Sequence, residues 1–161
     1  GYMALVLMDT ETGQILRELC KGDKIIRGKS IDSHLEFEYA PQGETFTKLY
    51  HKVTPFLVEC GLSAAELMLF IYLGSNLRYL SNVAKCPNGK LITRGSLQDE
   101  LKLSEPTIKR SIYRLIKEGL IVEANTLEGK VFIVNPYVVM VGDKINKTVY
   151  DLFRKSRWAR W

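Results

Sequence analysis

Hydroxyl and basic side chains recur at helical spacing between residues 104 and 119. At about 100° per residue, Thr107, Arg110, Arg114 and Lys117 share one face of a helix, separated from its apolar side. An arginine makes paired hydrogen bonds to base edges or phosphates, and a threonine hydroxyl is a short donor near a duplex. The pattern therefore predicts a helix that lies in a DNA groove. The apolar stripe contains Ile108, Ile112 and Leu115.

Both ends of this helix are marked in the sequence. Ser104 is a suitable N-cap, Pro106 is tolerated in the first turn, and Gly119 predicts the C-terminal end. Glu105 either favours the helix N-terminus electrostatically or accepts a hydrogen bond from a cytosine amino group. Because a basic outer face is also typical of a solvated surface helix, the neighbouring elements decide the interpretation.

Those neighbours predict a helix-turn-helix followed by a β-hairpin. Residues 96–101 have the pattern of a short amphipathic helix, and residues 102–104 that of the tight turn between paired helices. β-rich runs at residues 120–122 and 131–134 flank a turn at Gly129. The predicted fold is α+β: a mainly helical winged helix-turn-helix with a C-terminal β-hairpin wing and an N-terminal β-hairpin arm.

The positions that carry this pattern are Leu101, Leu103, Ser104, Thr107, Ile108, Arg110, Ile112, Leu115, Lys117, Gly119, Leu120 and Ile121. Over them the chain resembles winged helix-turn-helix DNA-binding domains, which implies the fold and duplex binding but no target sequence. Candidate DNA contacts come from the two helices, the wing and the C-terminal tail. They are Thr93, Arg94, Ser96, Ser104, Glu105, Thr107, Lys109, Arg110, Arg114, Lys117, Lys130, Arg154, Lys155 and Arg157.

The net charge of +5 is unevenly distributed along the chain. Residues 90–119 contain seven basic and four acidic side chains, and residues 143–161 contain six basic and two acidic. The rest of the chain is slightly negative. The excess positive charge thus coincides with the predicted helix-turn-helix and tail, as nucleic-acid binding requires.

The chain ahead of the helix-turn-helix has its own predicted elements. Residues 4–8 and 14–19 predict the N-terminal hairpin, and residues 21–45 predict an irregular arm. Residues 46–60 predict a helix, and residues 63–80 predict a second helix, apolar nearly all round, that is buried as the first helix of the domain.

The predicted division is an arm (residues 1–45), a winged-helix domain (46–142) and a basic C-terminal helix and tail (143–161). The last segment has an apolar stripe at i, i+4, i+7 and i+8, followed by basic residues. Two interpretations are open: the stripe covers the protein's own core, or it pairs with a second copy in a two-fold homodimer on symmetric half-sites. The stripe contains Ile145, Val149, Leu152 and Phe153.

Short motifs elsewhere add a narrower resemblance. An Asp-x-Glu-Thr-Gly turn ends at Gly13, Phe46 and Lys48 precede the winged helix, and Asn135–Pro136 and Gly142–Asp143 follow it. In this order the chain is similar to the RepL family of plasmid replication proteins, relatives of which occur in phage genomes. The resemblance implies an initiator that binds double-stranded origin DNA and recruits host replication proteins, or a relative that acts at its own promoter.

No enzymatic motif is complete. The segment 27–30 ends like a phosphate-binding loop, but position 23 is Asp where that loop requires glycine. A nicking initiator needs a pair of histidine metal ligands near a tyrosine, and His34 and His51 are far apart in sequence. We expect no catalytic residue, no metal site and no cofactor.

Three scattered cysteines, Cys20, Cys60 and Cys86, form no Cys-x-x-Cys pair and are expected to be reduced thiols. No apolar run approaches the roughly 20 residues of a membrane span, so a cytoplasmic protein with no membrane partner is expected.

Two other functions would use the same elements. A transcription regulator that binds an operator needs the same surface as an initiator. A winged helix without DNA binding would instead contact a partner protein, and Tyr113 and Tyr137 would then belong to the contact patch.

Overall fold

The computed structural model describes residues 6–18, 21, 22, 24 and 36–159, and the chain divides into two compact units, Gly1–Gly43 and Glu44–Trp161. Cys20, His34, the segment 27–30 and much of the predicted irregular arm lie outside the described residues.

The first unit contains the predicted antiparallel hairpin. Strand β1 (Val6–Met8) pairs with strand β2 (Ile15–Glu18). Between them, a carboxylate oxygen of Asp9 accepts hydrogen bonds from two backbone N–H groups of the turn, and Gly13 has a left-handed φ of +76°. These are the turn residues that such a conformation favours.

The second unit combines helices with short strands, so the chain is an α+β protein, as predicted. Its elements pack around one main apolar core with a smaller cluster beside it. In chain order they are β3 (Lys48–Leu49), α1 (Thr54–Cys60), α2 (Ala64–Gly74), β4 (Val83–Ala84), α3 (Arg94–Leu101), α4 (Glu105–Lys117), β5 (Ile121–Thr126), β6 (Gly129–Val134), β7 (Val139–Met140) and α5 (Lys147–Phe153).

The strands form two antiparallel sheets in this unit. Strand β6 is central in a three-stranded sheet of order β4-β6-β5, and a tight turn at residues 127–128 connects β5 to β6. Strand β3 pairs with β7, so the start of this unit lies beside the chain that follows the hairpin β5–β6. The side chains of β6 from Val131 to Val134 are buried, because the main core covers one face of this strand and α5 covers the other.

Hydroxyl side chains begin three of the helices. Ser63, Thr93 and Ser104 each accept a hydrogen bond from the backbone N–H three residues ahead, at the starts of α2, α3 and α4. Helix α4 ends where Gly119 takes a φ of +73°, and the N–H groups of Gly119 and Leu120 bond back to carbonyls of the last turn. The predicted ends of α4 are confirmed.

Helices α2, α3 and α4 pack against one another and bury their apolar sides. The predicted stripe of α4 is buried, and Leu97 of α3 is fully enclosed beside it. The fully buried side chains of this core include Leu69, Leu73, Leu97, Ile108, Leu115, Leu120, Ile121 and Trp158.

The prediction of a helix over residues 46–60 is wrong in its first half. Residues 48–49 form β3, residues 51–53 form a 3-10 turn, and α1 starts only at Thr54. Pro55 lies in the first turn of α1, where its missing N–H breaks no helical hydrogen bond.

The helix predicted over residues 63–80 ends early, at Gly74. The chain then turns back so that Leu77 forms a bridge with Ala84 and leads into β4. Helix α2 is also less buried than predicted, since Leu67 and Ile71 are exposed while Leu69 and Leu73 are in the core.

One buried polar side chain joins the two sheets. Asn82 has a left-handed φ of +55°, and its Nδ2 donates to the carbonyl oxygens of Val134 (3.0 Å) and Val139 (2.8 Å). The backbone carbonyl oxygen of Asn82 accepts from the N–H of Val134 at 3.0 Å. The end of β6 and the start of β7 are therefore held by a single amide group.

We expect Asn82→Ala to lower the free energy of unfolding by about 2–4 kcal/mol, because two buried carbonyls lose their donor and alanine disfavours a positive φ. Urea unfolding followed by circular dichroism measures the change. Asn125→Ala, at an exposed position of β5, is the matched control and should shift stability by less than about 0.5 kcal/mol. An Asn82→Ala protein as stable as wild type would contradict this role.

Candidate nucleic-acid interface

The outward face of α4 is basic and open to solvent. Lys109, Arg110, Tyr113 and Lys117 are exposed on it, and 69% of Tyr113 is accessible. Glu105 is exposed in the first turn. Because the apolar stripe of α4 is fixed in the core, this face has one defined orientation. It offers cationic donors around an exposed aromatic ring.

Hydroxyl groups at the start of α4 orient Arg110. The Oγ of Ser104 and the Oγ1 of Thr107 are 2.9 Å apart, and Nη2 of Arg110 donates to Thr107 Oγ1 at 3.4 Å. Within the described residues, this is the hydrogen bond that the guanidinium makes. Since a guanidinium has five N–H donors, the others can bind a base edge or a phosphate.

Arg114 does not share the outward face that its spacing predicts. Its Nε donates to Glu118 at 3.1 Å, Nη1 lies 3.8 Å from a carboxylate oxygen of Glu66, and Nη2 donates to the carbonyl oxygen of Cys60. Arg114 lies about 100° around the helix from Tyr113, on the flank that α1 and α2 cover. It therefore holds α4 against its neighbours.

A cleft of about 360 Å³ lies between the start of α3 and the hairpin β5–β6. Thr93, Arg94 and Lys130 line it, so three of the predicted contacts come together there. Arg94 is the first residue of α3, where a cation is unfavourable for the helix dipole but suited to binding an anion. Glu123 lines the same cleft and offsets part of this charge.

Thr93 and one further predicted contact, Ser96, bind each other at the start of α3. Thr93 Oγ1 accepts from the N–H of Ser96 at 3.1 Å, and Ser96 Oγ accepts from the N–H of Thr93 at 2.9 Å. Ser96 Oγ also donates to the Thr93 carbonyl. These hydroxyls stabilise the start of the helix that presents Arg94.

The tip of the hairpin β5–β6 has a second cation that the sequence does not predict. Besides Lys130 of the hairpin itself, Lys85 reaches Glu128 from the loop after β4, with 3.2 Å between Nζ and the carboxylate. The ion pair neutralises the acidic residue of the tip. Leu127 is fully exposed beside it.

The described basic residues near the C-terminus are exposed, and two of them form ion pairs with carboxylates of the same chain. Arg154 pairs with Asp151 at 2.8 Å. Arg157 lies 3.5 Å from the Glu118 carboxylate, and its Nη2 donates to the Phe56 carbonyl. Lys155 is exposed. The prediction that Arg154, Lys155 and Arg157 contact DNA stays a prediction, and in this structure carboxylates of the same chain pair with Arg154 and Arg157.

Glu118 is the centre of this arrangement. Its carboxylate binds Arg114 and Arg157, and the thiol of Cys60 lies 3.6 Å from it. Burial raises the pKa of the Cys60 thiol above its ordinary value, so the thiol stays protonated and can donate. The backbone carbonyl of Glu118 accepts from Nε1 of Trp158 at 2.7 Å.

The apolar stripe near the C-terminus is mostly covered by the chain itself. Val149 and Phe153 are buried against β6, and Ile145 packs beside them. Leu152 is 55% exposed. Of the two interpretations of this stripe, coverage of the protein's own core is the one observed.

Sequence reasoning missed Lys85 and Glu118. Lys85 forms an ion pair with Glu128, 43 positions away, and no local spacing in the sequence indicates that pair. Glu118 stands between Lys117 and Gly119 and has the pattern of an ordinary exposed acid at a helix end. Only the packing of α1 and the C-terminal segment around α4 gives it a structural role.

Within the described part of the chain, no group of three or more His, Cys, Asp or Glu side chains is placed to hold a metal ion. None of the described helices has the length and apolarity to cross a bilayer. In comparisons with known proteins, no family model, no curated protein and no solved structure matches this chain.

We expect Arg114→Ala to lower the free energy of unfolding by about 1–2 kcal/mol, because a half-buried ion pair and a hydrogen bond to a carbonyl are lost. Arg114→Lys should recover only part of this, since lysine lacks the planar fork. Arg110→Ala is the matched control and should change stability by less than about 0.5 kcal/mol. Equal stability losses in Arg110→Ala and Arg114→Ala, measured by urea unfolding, would show that the two arginines are not structurally distinct.

Proposed function

We propose that this chain binds double-stranded DNA as a winged helix, with α4 as the recognition helix and the hairpin β5–β6 as the wing. The observation that carries the proposal is the outward face of α4, where Lys109, Arg110 and Lys117 surround Tyr113. Among the described residues, no carboxylate forms an ion pair with these three cations. The order helix, strand, two helices and hairpin is the one that such domains use.

The dimensions of α4 support insertion into the major groove. An α-helix with side chains is about 10–12 Å wide, which the groove of about 12 Å admits. In this docking Arg110 reaches a base edge, and the ring of Tyr113 offers apolar contact to a thymine methyl group or a sugar. Lys109 and Lys117 lie on either side and suit phosphates.

The cleft at the start of α3 supports a second anchoring point. A phosphate there would meet the backbone N–H groups of the helix start together with Arg94 and Lys130. Recognition helix and wing would then hold the backbone at separate points and fix the register of α4 on the duplex. Arg114, Arg154 and Arg157 are not assigned contacts, because their guanidinium groups bind carboxylates of the protein.

We further propose that the bound DNA is a replication origin of a plasmid or phage type, in line with the resemblance to RepL proteins. On this proposal the protein acts by binding and by recruiting host replication proteins, and not by catalysis. Nuclease footprinting on the replicon that encodes the protein is the test. Protection of repeats within an origin supports an initiator, whereas protection of an operator alone supports a transcription regulator. Absence of binding to any duplex in a filter assay supports a protein-interaction domain.

We expect Arg110→Ala to weaken specific duplex binding by about 1–3 kcal/mol, roughly 5- to 150-fold, and to relax the preference at one base pair. Fluorescence anisotropy with the footprinted site and single-base variants of it gives both quantities. Lys144→Ala removes an exposed cation outside α4 and the wing and is the control for net charge. Unchanged affinity and preference in Arg110→Ala would remove α4 from the interface.

We expect Lys130→Ala to weaken binding uniformly across DNA sequences and to reduce the slope of log affinity against log salt by about 1, because one phosphate contact is lost. The measurement is a salt titration of the binding constant. Lys85→Ala serves as comparison: it removes a cation that Glu128 already neutralises, so its slope should stay close to wild type. If the two variants have the same slope, Lys130 makes no separate phosphate contact.

A further inference from the structure

A cavity of about 450 Å³ lies outside the proposed duplex interface. Three separate segments build it: the chain after β3, the chain after β6, and α5. Its walls consist of tyrosine rings and a proline, and its remaining lining is basic. The lining residues are Tyr50, His51, Lys52, Pro136, Tyr137 and Tyr150.

The inner wall of this tyrosine cavity is held by contacts between its own side chains. The rings of Tyr137 and Tyr150 meet edge to face, with 5.1 Å between centroids and 68° between planes. The hydroxyl of Tyr150 donates to Met140 Sδ at 3.7 Å, and Pro136 is buried. Burial, and then Tyr50 and Tyr137, raise the pKa of Tyr150, so this hydroxyl is a neutral donor.

Tyr50 forms the open side of the cavity. It is 37% exposed, whereas Tyr137 and Tyr150 are half-buried. Its backbone N–H bonds to the carbonyl of Val138 at 3.4 Å, which fixes the main chain beside the inner wall. A planar group that enters the cavity would therefore meet a tyrosine ring on the solvent side and a fixed aromatic wall behind it.

The mouth of the cavity has positive charge. His51 and Lys52 are exposed, and no carboxylate lines the cavity within the described residues. Asp151 follows Tyr150 in the chain, but Arg154 already pairs with it at 2.8 Å. Among the described residues, an anionic ligand would thus meet Lys52 without a competing carboxylate.

The cavity lies at the opposite end of β6 from the wing tip. The strand runs from Gly129 at the tip to Val134, and Pro136 follows almost at once. At about 3.3 Å per residue, the cavity is roughly 15–20 Å from the tip. A duplex on the wing leaves it accessible.

We propose that the tyrosine cavity binds single-stranded nucleic acid, with one base stacked on Tyr50 against the aromatic wall and the adjoining phosphate on Lys52. Aromatic stacking combined with nearby cations is the usual basis of sequence-tolerant single-strand binding. Paired bases in a duplex are already stacked, so they cannot present a face to the cavity. The site is separate from α4 and does not depend on the proposed duplex binding.

A proline-rich peptide also binds aromatic grooves. The charge of the mouth favours the nucleic acid, because such a peptide gains nothing from Lys52 whereas a phosphate does. Among the residues that the structure describes, no aliphatic side chain of the kind that accepts an amphipathic helix lines the cavity.

The test is fluorescence anisotropy of the full chain with a labelled oligodeoxythymidine of about 12 nucleotides, within the size range of single-strand sites. We expect Tyr50→Ala to weaken this binding about 5- to 150-fold, as loss of one stacked base does. Tyr50→Phe should stay close to wild type, since stacking needs the ring and not the hydroxyl. Lys52→Ala should lower both the affinity and its salt dependence, whereas Lys144→Ala should not.

Duplex binding is measured on the same variants, and thermal unfolding verifies that each is folded. Tyr50→Ala should leave duplex affinity unchanged. Arg110→Ala should reduce duplex affinity and leave oligodeoxythymidine binding intact. The failure of one proposal can therefore be distinguished from the failure of the other. Oligodeoxythymidine binding that is absent, or equal in wild type and folded Tyr50→Ala, overturns the inference. Tyr50-dependent capture of a proline-rich peptide without oligonucleotide binding also overturns it, in favour of a peptide site.

Discussion

The position of α4 depends on one residue at its C-terminal end, Glu118. Its carboxylate binds Arg114 of the same helix and Arg157 of the C-terminal segment, while its carbonyl accepts from the buried Trp158 indole. A helix end has free carbonyls that need partners, and here the chain returns from about 40 residues downstream to supply one. Gly119 permits this approach, because a Cβ there would lie 3.3 Å from Ser156.

This arrangement separates the arginines into two groups with different roles. Arg114 and Arg157 compensate a half-buried carboxylate, and removal of either leaves Glu118 less well paired. Arg110 instead bonds to a neutral hydroxyl and keeps its charge available. Net charge along a segment therefore overstates the charge available to a ligand. The C-terminal segment is strongly basic in sequence, yet two of its arginines form ion pairs with carboxylates of the same chain.

Local signals in the sequence were sufficient for α4 and its two ends, but not for every element and not for the contacts between elements. Ser104 and Gly119 determine the ends of α4 through backbone groups within one turn, so both could be predicted. The helical period of 3.6 residues gives the direction in which Arg114 points from α4, but not which element packs on that side. In the structure, α1 covers that flank. The helix predicted from residue 46 failed for a related reason, because pairing with β7, distant in sequence, extends residues 48–49.

The two proposed sites, at opposite ends of β6, bear on what an initiator must do with DNA. A protein that binds only duplex stabilises the closed form, since a ligand shifts an equilibrium toward the state that it binds better. A site that binds one separated DNA strand stabilises the open form instead. This stabilisation grows with the affinity of the site for the single strand. On the two proposals together, α4 selects the location and the tyrosine cavity favours local opening beside it. Because β6 connects the wing tip to the chain that lines the cavity, the two proposals together predict that the captured DNA strand comes from beside the recognised site.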